Sequence, residues 1–307
     1  MMVNNMLRKM KRSMSLLLAA AMLVSMAAGC GSSSAGNSGS TQTTAAATTA
    51  EAETAAPPVT EEMYFPNGDK QIYAVMYKPA EEKESYPTVI ISHGFAGNYE
   101  DNTGRAEFFA KNGYAAVVFD FYGGGRASKS GGAMTDMSVL TEATDLEAVM
   151  DGVRSLDYVD SSNLFLLGCS QGGFVSSYVA AQRPDDVAAL VLLFPAFALQ
   201  DDCWNRHGSI ENIPETENIM NQTIGAIYSK DAMSFDIYEV IGGYKGNVLI
   251  QHGDKDDIVA PSYSEKAKEV YENAELQIIH GAGHGFQGKI LRESNASVLE
   301  FLNANIK

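Results

Sequence analysis

Cysteine, tryptophan and basic residues are scarce in this chain of 307 residues, which has three cysteines and one tryptophan. So few cysteines exclude a disulfide framework as the basis of the fold, although one bond between Cys169 and Cys203 stays open. The 22 basic residues face 38 acidic ones, and the net charge is −16. The first 60 residues hold four of the basic and two of the acidic residues, so 18 and 36 remain beyond them, a net charge of −18. A domain this acidic is unsuited to binding nucleic acid or anionic lipid headgroups.

No hydrophobic run in the sequence is long enough for a membrane-spanning helix, which needs roughly 20 residues. The hydrophobic run near the N-terminus spans only about 15 residues. It follows a basic start and precedes small residues, which is typical of a secretory signal peptide over residues 1–29. The segment ends in "AAGC", which resembles the bacterial lipobox, whose cysteine is lipidated and becomes the mature N-terminus. The sequence therefore predicts an exported protein anchored through lipidated Cys30 to the outer face of the bacterial cell membrane. Ala27 stands where leucine is commoner, so ordinary cleavage and free secretion is the alternative.

Large apolar residues are rare in the next segment, residues 30–60, which consists mostly of Gly, Ser, Thr and Ala. Such a segment buries too little surface to offset its ordering entropy, so it is predicted to be a flexible linker. A tether of this length reaches roughly 30 Å. The folded domain is predicted to cover residues 61–307.

Short apolar segments alternate with amphipathic ones from residue 61 onward. Strands are predicted at 71–79, 88–93, 114–121, 163–168, 187–194, 247–253 and 274–281. Helices are predicted near 102–112, 138–155, 171–182, 262–273 and 287–304. Strands that are apolar throughout and separated by helices indicate a mostly parallel sheet covered on both faces. Ligands of such sheets bind beyond the carboxyl ends of the strands.

One segment, about 197–243, has no clean period and contains the single tryptophan, Trp204. Insertions of this length in a compact domain are usually functional caps or lids. An aromatic side chain there, such as Trp204, is a candidate for stacking on a substrate ring.

The stretch "GCSQGG" stands between an apolar strand and a helical segment. In this context G-x-S-x-G is a nucleophile elbow, a sharp turn that holds the serine in a strained, exposed conformation. Gly168 and Gly172 are needed because strand and helix approach too closely for a β-carbon. Ser170, at the centre of the turn, is therefore the candidate nucleophile, whereas Cys169 takes a flanking position.

A serine nucleophile needs a base and an orienting acid, which follow it in the order Asp, His in this type of enzyme. The segment "LQIIHGAGHGF" places His284 in a glycine-bordered loop after the last strand, which makes it the candidate base. Of the other histidines, His252 and His280 lie at strand ends, where an imidazole is usually structural, whereas His93 precedes the first helix and His207 lies in the insertion. The sequence does not predict a metal site, because no second cluster of ligand residues accompanies the acidic segment "HGDKDD".

The acid and the oxyanion donors come from two further loops. "LIQHGDKDDIVAP" offers Asp254, Asp256 and Asp257 just after a strand, and spacing alone leaves the choice among them open. The oxyanion of a tetrahedral intermediate needs N–H donors, of which one follows the nucleophile, at Gln171. The loop "SHGFAGN" is expected to supply the second from Phe95.

With these motifs in order, the chain resembles the α/β-hydrolase superfamily over roughly residues 70–305. The segments "SHGFAGN", "VVFDFYGGGRAS", "GCSQGGFV", "VLLFPAFAL", "IQHGDKDDIV" and "GAGHGF" look like those of bacterial feruloyl (cinnamoyl) esterases. The family's G-x-x-D-x-x-V spacing maps onto Gly253, Asp256 and Val259, which favours Asp256 as the acid, with Asp257 second. The family commonly has histidine where Cys169 stands and a second histidine in the glycine turn, and this chain has neither.

The resemblance implies an α/β-hydrolase fold, a mostly parallel doubly wound sheet with a small cap insertion at 197–243. It further implies a carboxylic ester hydrolase with the triad Ser170, Asp256 and His284, the oxyanion donors Phe95 and Gln171, and no cofactor. Its substrate would be a small feruloyl, aryl or short acyl ester, or an acylated saccharide. The leader separately predicts a membrane contact through the lipid at Cys30. A serine peptidase of the same fold and a non-catalytic binding lipoprotein are the alternatives.

Overall fold

The computed structural model describes residues 56–125 and 127–307. The predicted signal peptide at 1–29, the predicted lipidation site Cys30 and most of the predicted linker lie outside the described residues. Within the described ranges, no helix combines the length and the apolar character needed to cross a membrane.

A single eight-stranded sheet forms the centre of the domain, with the strand order β1-β2-β4-β3-β5-β6-β9-β10. The strands, including a separate hairpin of β7 and β8, are β1 (Val59–Asn67), β2 (Lys70–Lys78), β3 (Tyr86–Ser92), β4 (Ala115–Phe119), β5 (Val159–Cys169), β6 (Ala189–Leu193), β7 (Thr216–Ile219), β8 (Gln222–Gly225), β9 (Asn247–Gly253) and β10 (Ala274–Ile279). β1 and β2 pair antiparallel, and β2 is antiparallel to β4. All later neighbours are parallel. The loops after β3, β5, β9 and β10 therefore meet at one edge of the sheet.

Helices cover both faces of this sheet. They are α1 (Thr103–Lys111), α2 (Val139–Arg154), α3 (Gln171–Gln182), α4 (Leu199–His207), α5 (Ala226–Ala232), α6 (Ile237–Ile241), α7 (Ser262–Val270) and α8 (Gly288–Ala304). Side chains on alternate positions of a strand point to opposite faces, so Ile72 and Met76 join the core beneath α2 and α3. Tyr73 and Val75 join the core beneath α1 and α8.

The predicted doubly wound, mostly parallel sheet is confirmed, and each predicted strand and helix has a counterpart within a few residues. Of the eight strands in the central sheet, one was not predicted. β1 begins at Val59, inside the predicted linker, and is mostly exposed. It lacks an apolar alternation because it lies at the edge of the sheet, where Phe65 alone of its side chains is buried.

The predicted insertion at 197–243 folds into short elements, namely α4, the β7–β8 hairpin, α5 and α6. None of them exceeds nine residues, which explains why no period shows in the sequence. Its buried side chains, among them Cys203, Ile224 and Tyr228, belong to the same core as α2 and α3. The insertion, called the cap below, is thus packed onto the domain.

Candidate active site

Ser170 lies at the turn between β5 and α3, with φ of 53° and ψ of −118°. A positive φ is costly for a residue with a β-carbon and needs support from its surroundings. That support includes the close approach of strand and helix: a β-carbon on Gly168 would lie 2.3 Å from the Gly172 carbonyl oxygen. A β-carbon on Gly172 would lie 2.4 Å from the carbonyl oxygen of His93. The two glycines therefore permit the packing that holds Ser170 in this conformation.

A continuous series of hydrogen bonds joins Ser170, His284 and Asp256. His284 Nε2 lies 2.8 Å from Ser170 Oγ, and His284 Nδ1 lies 2.8 Å from Asp256 Oδ2. A carboxylate accepts only, so Nδ1 carries the proton and Nε2 is free to accept the serine proton. Phe194, with its ring centroid 5.0 Å from that of His284, packs edge-on against the imidazole. The side chains come from three loops that the sheet brings to one edge.

Asp256 is the buried member of the acidic cluster. Its Oδ1 accepts the backbone N–H groups of Ile258, at 3.0 Å, and Val259, at 2.9 Å. Its Oδ2 also lies 3.1 Å from His252 Nε2. The carboxylate is thus fixed from several sides, whereas Asp257 is exposed. Among the described residues, no group of histidine, cysteine and carboxylate side chains has an arrangement suited to a metal ion.

The other four histidines have partners away from the serine. The ring of His93 is held between the carbonyl of Gly94 and the N–H of Phe121, and burial lowers its pKa. Burial also lowers the pKa of His252, whose Nδ1 lies 2.7 Å from Ser264 Oγ. His207 contacts Glu217 in the cap, and exposed His280 pairs with Asp254.

The predicted oxyanion donors Phe95 and Gln171 both line the cavity at Ser170. At the start of α3, the N–H groups of Gly173 and Phe174 donate to the Ser170 carbonyl. Within the described part of the chain, the N–H groups of Phe95 and Gln171 donate to no backbone carbonyl. They are free to meet an oxyanion beside the helix N-terminus, and their role as donors stays a prediction.

A buried polar network beneath Gln171 was not foreseen from the sequence. The Gln171 side chain donates to Glu142 Oε2 at 2.8 Å and accepts the Tyr228 hydroxyl at 2.8 Å. Glu142 belongs to α2 and Tyr228 to the cap, so three distant segments meet beside Ser170. Burial raises the pKa of Glu142 to about 8 and raises that of Tyr228 well above its usual value. A helix position occupied by glutamate gives no signal of such burial.

A cavity of about 580 Å³ opens over Ser170 and His284. Its apolar wall combines loop side chains with side chains of the cap: Phe95, Phe194, Leu199, Ile219, Met220, Tyr228, Ile258, Val259, Phe286 and Leu291. Phe95 and Tyr228 pack edge-on, with ring centroids 5.7 Å apart. Trp204, expected to stack on a substrate ring, is 45% exposed and does not line this cavity, so that expectation is wrong. Tyr228 is instead an aromatic side chain of the cap that lines the cavity.

Neither described cysteine is in a disulfide. Cys169 and Cys203 are both buried and free, so the bond left open by the sequence is absent. Cys169 Sγ lies 3.5 Å from Asn102 Oδ1, and burial raises the pKa of its thiol. A neutral thiol is a poor nucleophile, so Ser170 remains the candidate nucleophile of the elbow.

The strand order, the elbow and the loop positions are those of the α/β-hydrolase fold. A family model described as the alpha/beta hydrolase fold matches residues 87–208. The chain therefore has the α/β-hydrolase fold.

Individual relatives narrow the class. The structure of Est1E from Butyrivibrio proteoclasticus with ferulic acid bound is 27% identical, covers 79% of this chain and 99% of its own, and superposes with a TM-score of 0.72. Lipase 3 from Moraxella sp. (strain TA144) is 23% identical over 254 residues, 71% of this chain and 76% of that lipase. Lipase 1 from Psychrobacter immobilis is 25% identical over the same shares. These similarities support a carboxylic ester hydrolase of the α/β-hydrolase type.

Proposed function

We propose that this chain is a serine esterase in which Ser170 is the nucleophile, His284 the general base and Asp256 the orienting acid. The observation that carries the proposal is the series of two 2.8 Å contacts from Ser170 Oγ through the imidazole to Asp256. This is the arrangement that activates a serine hydroxyl, and it is recognised by its geometry whatever the order of residues. The strained turn at Ser170 adds support, because such strain clusters at functional sites.

In the proposed reaction, Ser170 Oγ attacks the ester carbonyl carbon while His284 Nε2 takes the hydroxyl proton. The carbonyl oxygen becomes an oxyanion, which the N–H groups of Phe95 and Gln171 stabilise; one such donor is typically worth about 3 kcal/mol of barrier. As the intermediate collapses, His284 gives its proton to the leaving alkoxide, and the alcohol departs. Water then attacks the acyl-enzyme by the same route and releases the acid and the free serine. Asp256 stabilises the imidazolium in both halves.

The proposed substrate is a carboxylic ester of modest size, with an aryl or short acyl group and an alcohol that can belong to a saccharide. The cavity of about 580 Å³ falls in the range of small-molecule sites. Its aromatic lining by Phe95 and Tyr228 suits a planar ring. The similarity to Est1E, which binds ferulic acid in its solved structure, favours aryl acids among these candidates.

The proposed location is the outer face of the bacterial cell membrane, through a lipid on Cys30. The basic start, the short apolar run and the "AAGC" end of the leader support it. Growing expressing cells with an alkyne-tagged fatty acid tests this directly. Label on the wild type that is lost in Cys30→Ser supports the anchor, whereas unlabelled protein in the medium favours ordinary cleavage and free secretion.

The test of function is hydrolysis of p-nitrophenyl acetate, p-nitrophenyl butyrate and methyl ferulate by the full-length chain. We expect Ser170→Ala to lower kcat/KM by roughly 1,000-fold or more, because the covalent route is removed. Asp256→Asn should cause a loss of similar order, since the imidazole then favours the wrong tautomer. Asp257→Asn, the matched control one residue along, should stay within a few-fold of the wild type.

Each result has a distinct meaning. Turnover of methyl ferulate supports the aryl substrate class, whereas activity on nitrophenyl esters alone retains the esterase and removes the aryl preference. Equal rates for wild type and Ser170→Ala on every ester would refute the proposal. Labelling of Ser170 by a fluorophosphonate would then separate a peptidase from a non-catalytic binding protein.

A further inference from the structure

Arg105, in the first turn of α1, is a buried cation inside the cavity that holds Ser170. It is 5% exposed and lines this cavity together with Cys169, the residue before the serine. A guanidinium has five N–H donors, and Asn295 Oδ1 in α8 is the acceptor that the protein offers it. Burial lowers the pKa of Arg105, but a guanidinium starts above about 12 and stays charged. The cavity thus contains a permanent positive charge, and the described residues offer no acceptor for most of its donors.

No counter-ion for Arg105 stands among the described residues. None of the salt bridges between described residues, with nitrogen–oxygen distances up to 4.0 Å, includes Arg105. Cys169 lies near Arg105, which favours a charged thiolate, but burial has the larger effect. Burial raises the pKa of the Cys169 thiol, so the thiol stays neutral and is no counter-ion. Asp101 also lines the cavity, yet its Oδ2 accepts the N–H of Asn98 at 3.1 Å and so is engaged by the turn before α1.

Arg206, the other arginine that lines the cavity, has a carboxylate partner. Arg206, in the cap, has its Nε 3.2 Å from Glu217 Oε2. A buried charge that lacks such a partner is costly, because desolvation is not repaid by an opposite charge. Arg105 therefore lies in an environment that becomes favourable only when an anion enters.

The unused donors of Arg105 have access to the cavity space. Among the described residues, the fully enclosed side-chain nitrogen or oxygen atoms without a partner are two tyrosine hydroxyls, those of Tyr158 and Tyr271. The guanidinium nitrogens are not among them, so those without a protein acceptor retain accessible surface. Arg105 lines the cavity over Ser170, and in the proposal below that surface lies toward the space a substrate would fill.

We propose that Arg105 binds a carboxylate carried by the substrate, so that the site prefers esters that bear an anionic group. The inference rests on the proposed esterase function and extends it to the substrate's charge. A guanidinium presents parallel N–H groups that match the two oxygens of a carboxylate. The carboxylate can belong to the acyl half or to the alcohol half of the ester, and the two sources are separated by experiment.

The test compares charged esters with neutral esters of the same shape, using the full-length chain. Monomethyl adipate and methyl adipamate place a carboxylate or its amide isostere in the acyl half. 4-Acetoxybutanoate and 4-acetoxybutanamide do the same in the alcohol half. The readout is the ratio of kcat/KM for the charged ester over the neutral one, or of inhibition constants against p-nitrophenyl butyrate where turnover is slow. High salt, which shortens the Debye length toward about 3 Å at 1 M, screens the repulsion from the acidic surface.

We expect the wild type to prefer the charged ester of one pair by about 10-fold or more, the factor that a charge-assisted hydrogen bond supports. Arg105→Gln, which keeps a donor for Asn295, should bring that ratio close to 1. Arg105→Lys should retain part of it, because the charge stays and the paired donors are lost. Arg206→Gln, the matched change at the paired arginine, should leave the ratio as it is.

The outcomes separate the two proposals. Hydrolysis of p-nitrophenyl butyrate with no charge preference in either pair would overturn the anion subsite and leave the esterase intact. A preference that survives Arg105→Gln, or that disappears with Arg206→Gln, would also overturn it. No hydrolysis of any ester would remove the esterase function first. The wild-type ratios decide whether the site prefers an anion at all, and Arg105→Lys assigns that preference to Arg105 if Arg105→Gln fails to fold.

Discussion

Replacing Glu142 by glutamine should make the protein more stable at alkaline pH. Glu142 is buried in α2, and its carboxylate oxygen accepts from the Gln171 side chain at 2.8 Å. Burial is the main cause that raises its pKa from 4.5 to about 8, and the nearby charge of Asp145 raises it further. The folded protein therefore keeps a proton on this carboxyl where the unfolded chain has lost it.

The sign and the size of the effect follow from that difference. The contribution of Glu142 to stability is fully present below pH 4.5 and is lost as the pH rises through 8. With about 1.4 kcal/mol for each pH unit, the loss between pH 5 and pH 9 is about 4 kcal/mol. Glu142→Gln keeps an acceptor for Gln171 and cannot ionise, so its free energy of unfolding should gain about 4 kcal/mol on the wild type over this range.

Urea unfolding at pH 5, 7 and 9 measures this difference. Circular dichroism follows the sheet, and fluorescence of Trp204, the single tryptophan, follows the cap. Glu300→Gln, at an exposed carboxylate in α8, is the control, and its difference from wild type should not change with pH. A difference for Glu142→Gln that is the same at pH 5 and pH 9 would refute the reasoning, because it would show that burial does not hold the proton there.

Two further predictions concern the packing around Ser170. Gly172→Ala should cost about 3 kcal/mol of stability or more, because the added carbon would lie 2.4 Å from a carbonyl oxygen. The control is Gly104→Ala in α1, where the added carbon meets open space, and it should be neutral or stabilising in the same urea unfolding experiments. Tyr228→Phe should cost about 1 to 3 kcal/mol by leaving the Gln171 side-chain oxygen unpaired. Tyr64→Phe, at an exposed tyrosine, controls for the loss of a hydroxyl, and equal stability of these two variants would contradict the assigned hydrogen bond.

The elements of the sheet could be predicted because their signals are local. Parallel strands buried on both faces are apolar throughout, so segments such as Ala115–Phe119 stand out in the sequence. The elbow is local as well, since Gly168, Ser170 and Gly172 lie within five residues of one another. The α/β-hydrolase fold and the ester hydrolase class that followed from these patterns are confirmed.

The features that the sequence did not reveal depend on contacts between distant segments. β1 was missed because an exposed edge strand has no apolar alternation. The network of Glu142 and Tyr228 around Gln171 joins residues 86 positions apart, and neither has a distinctive neighbour in sequence. Arg105 has the sequence pattern of an ordinary helix cation, but the fold buries it, and none of the salt bridges between described residues includes it. Trp204 was chosen for its ring alone, and the fold turns that ring toward solvent.

The hydrogen bond from the Tyr228 hydroxyl to the Gln171 side chain has a consequence for anyone who wishes to graft a foreign cap onto this scaffold. Cap exchange is usually planned as a change of selectivity, with the reactive centre left as an independent module. Here the two parts are connected, since Gln171 directly follows Ser170, the proposed nucleophile, and its side-chain oxygen accepts a hydrogen bond from a phenol of the cap. A chimera whose new cap lacks a phenol at this point would leave the Gln171 side-chain oxygen without its donor. Slow turnover by such a chimera would then reflect the lost hydrogen bond beside Ser170 rather than an unsuitable ester.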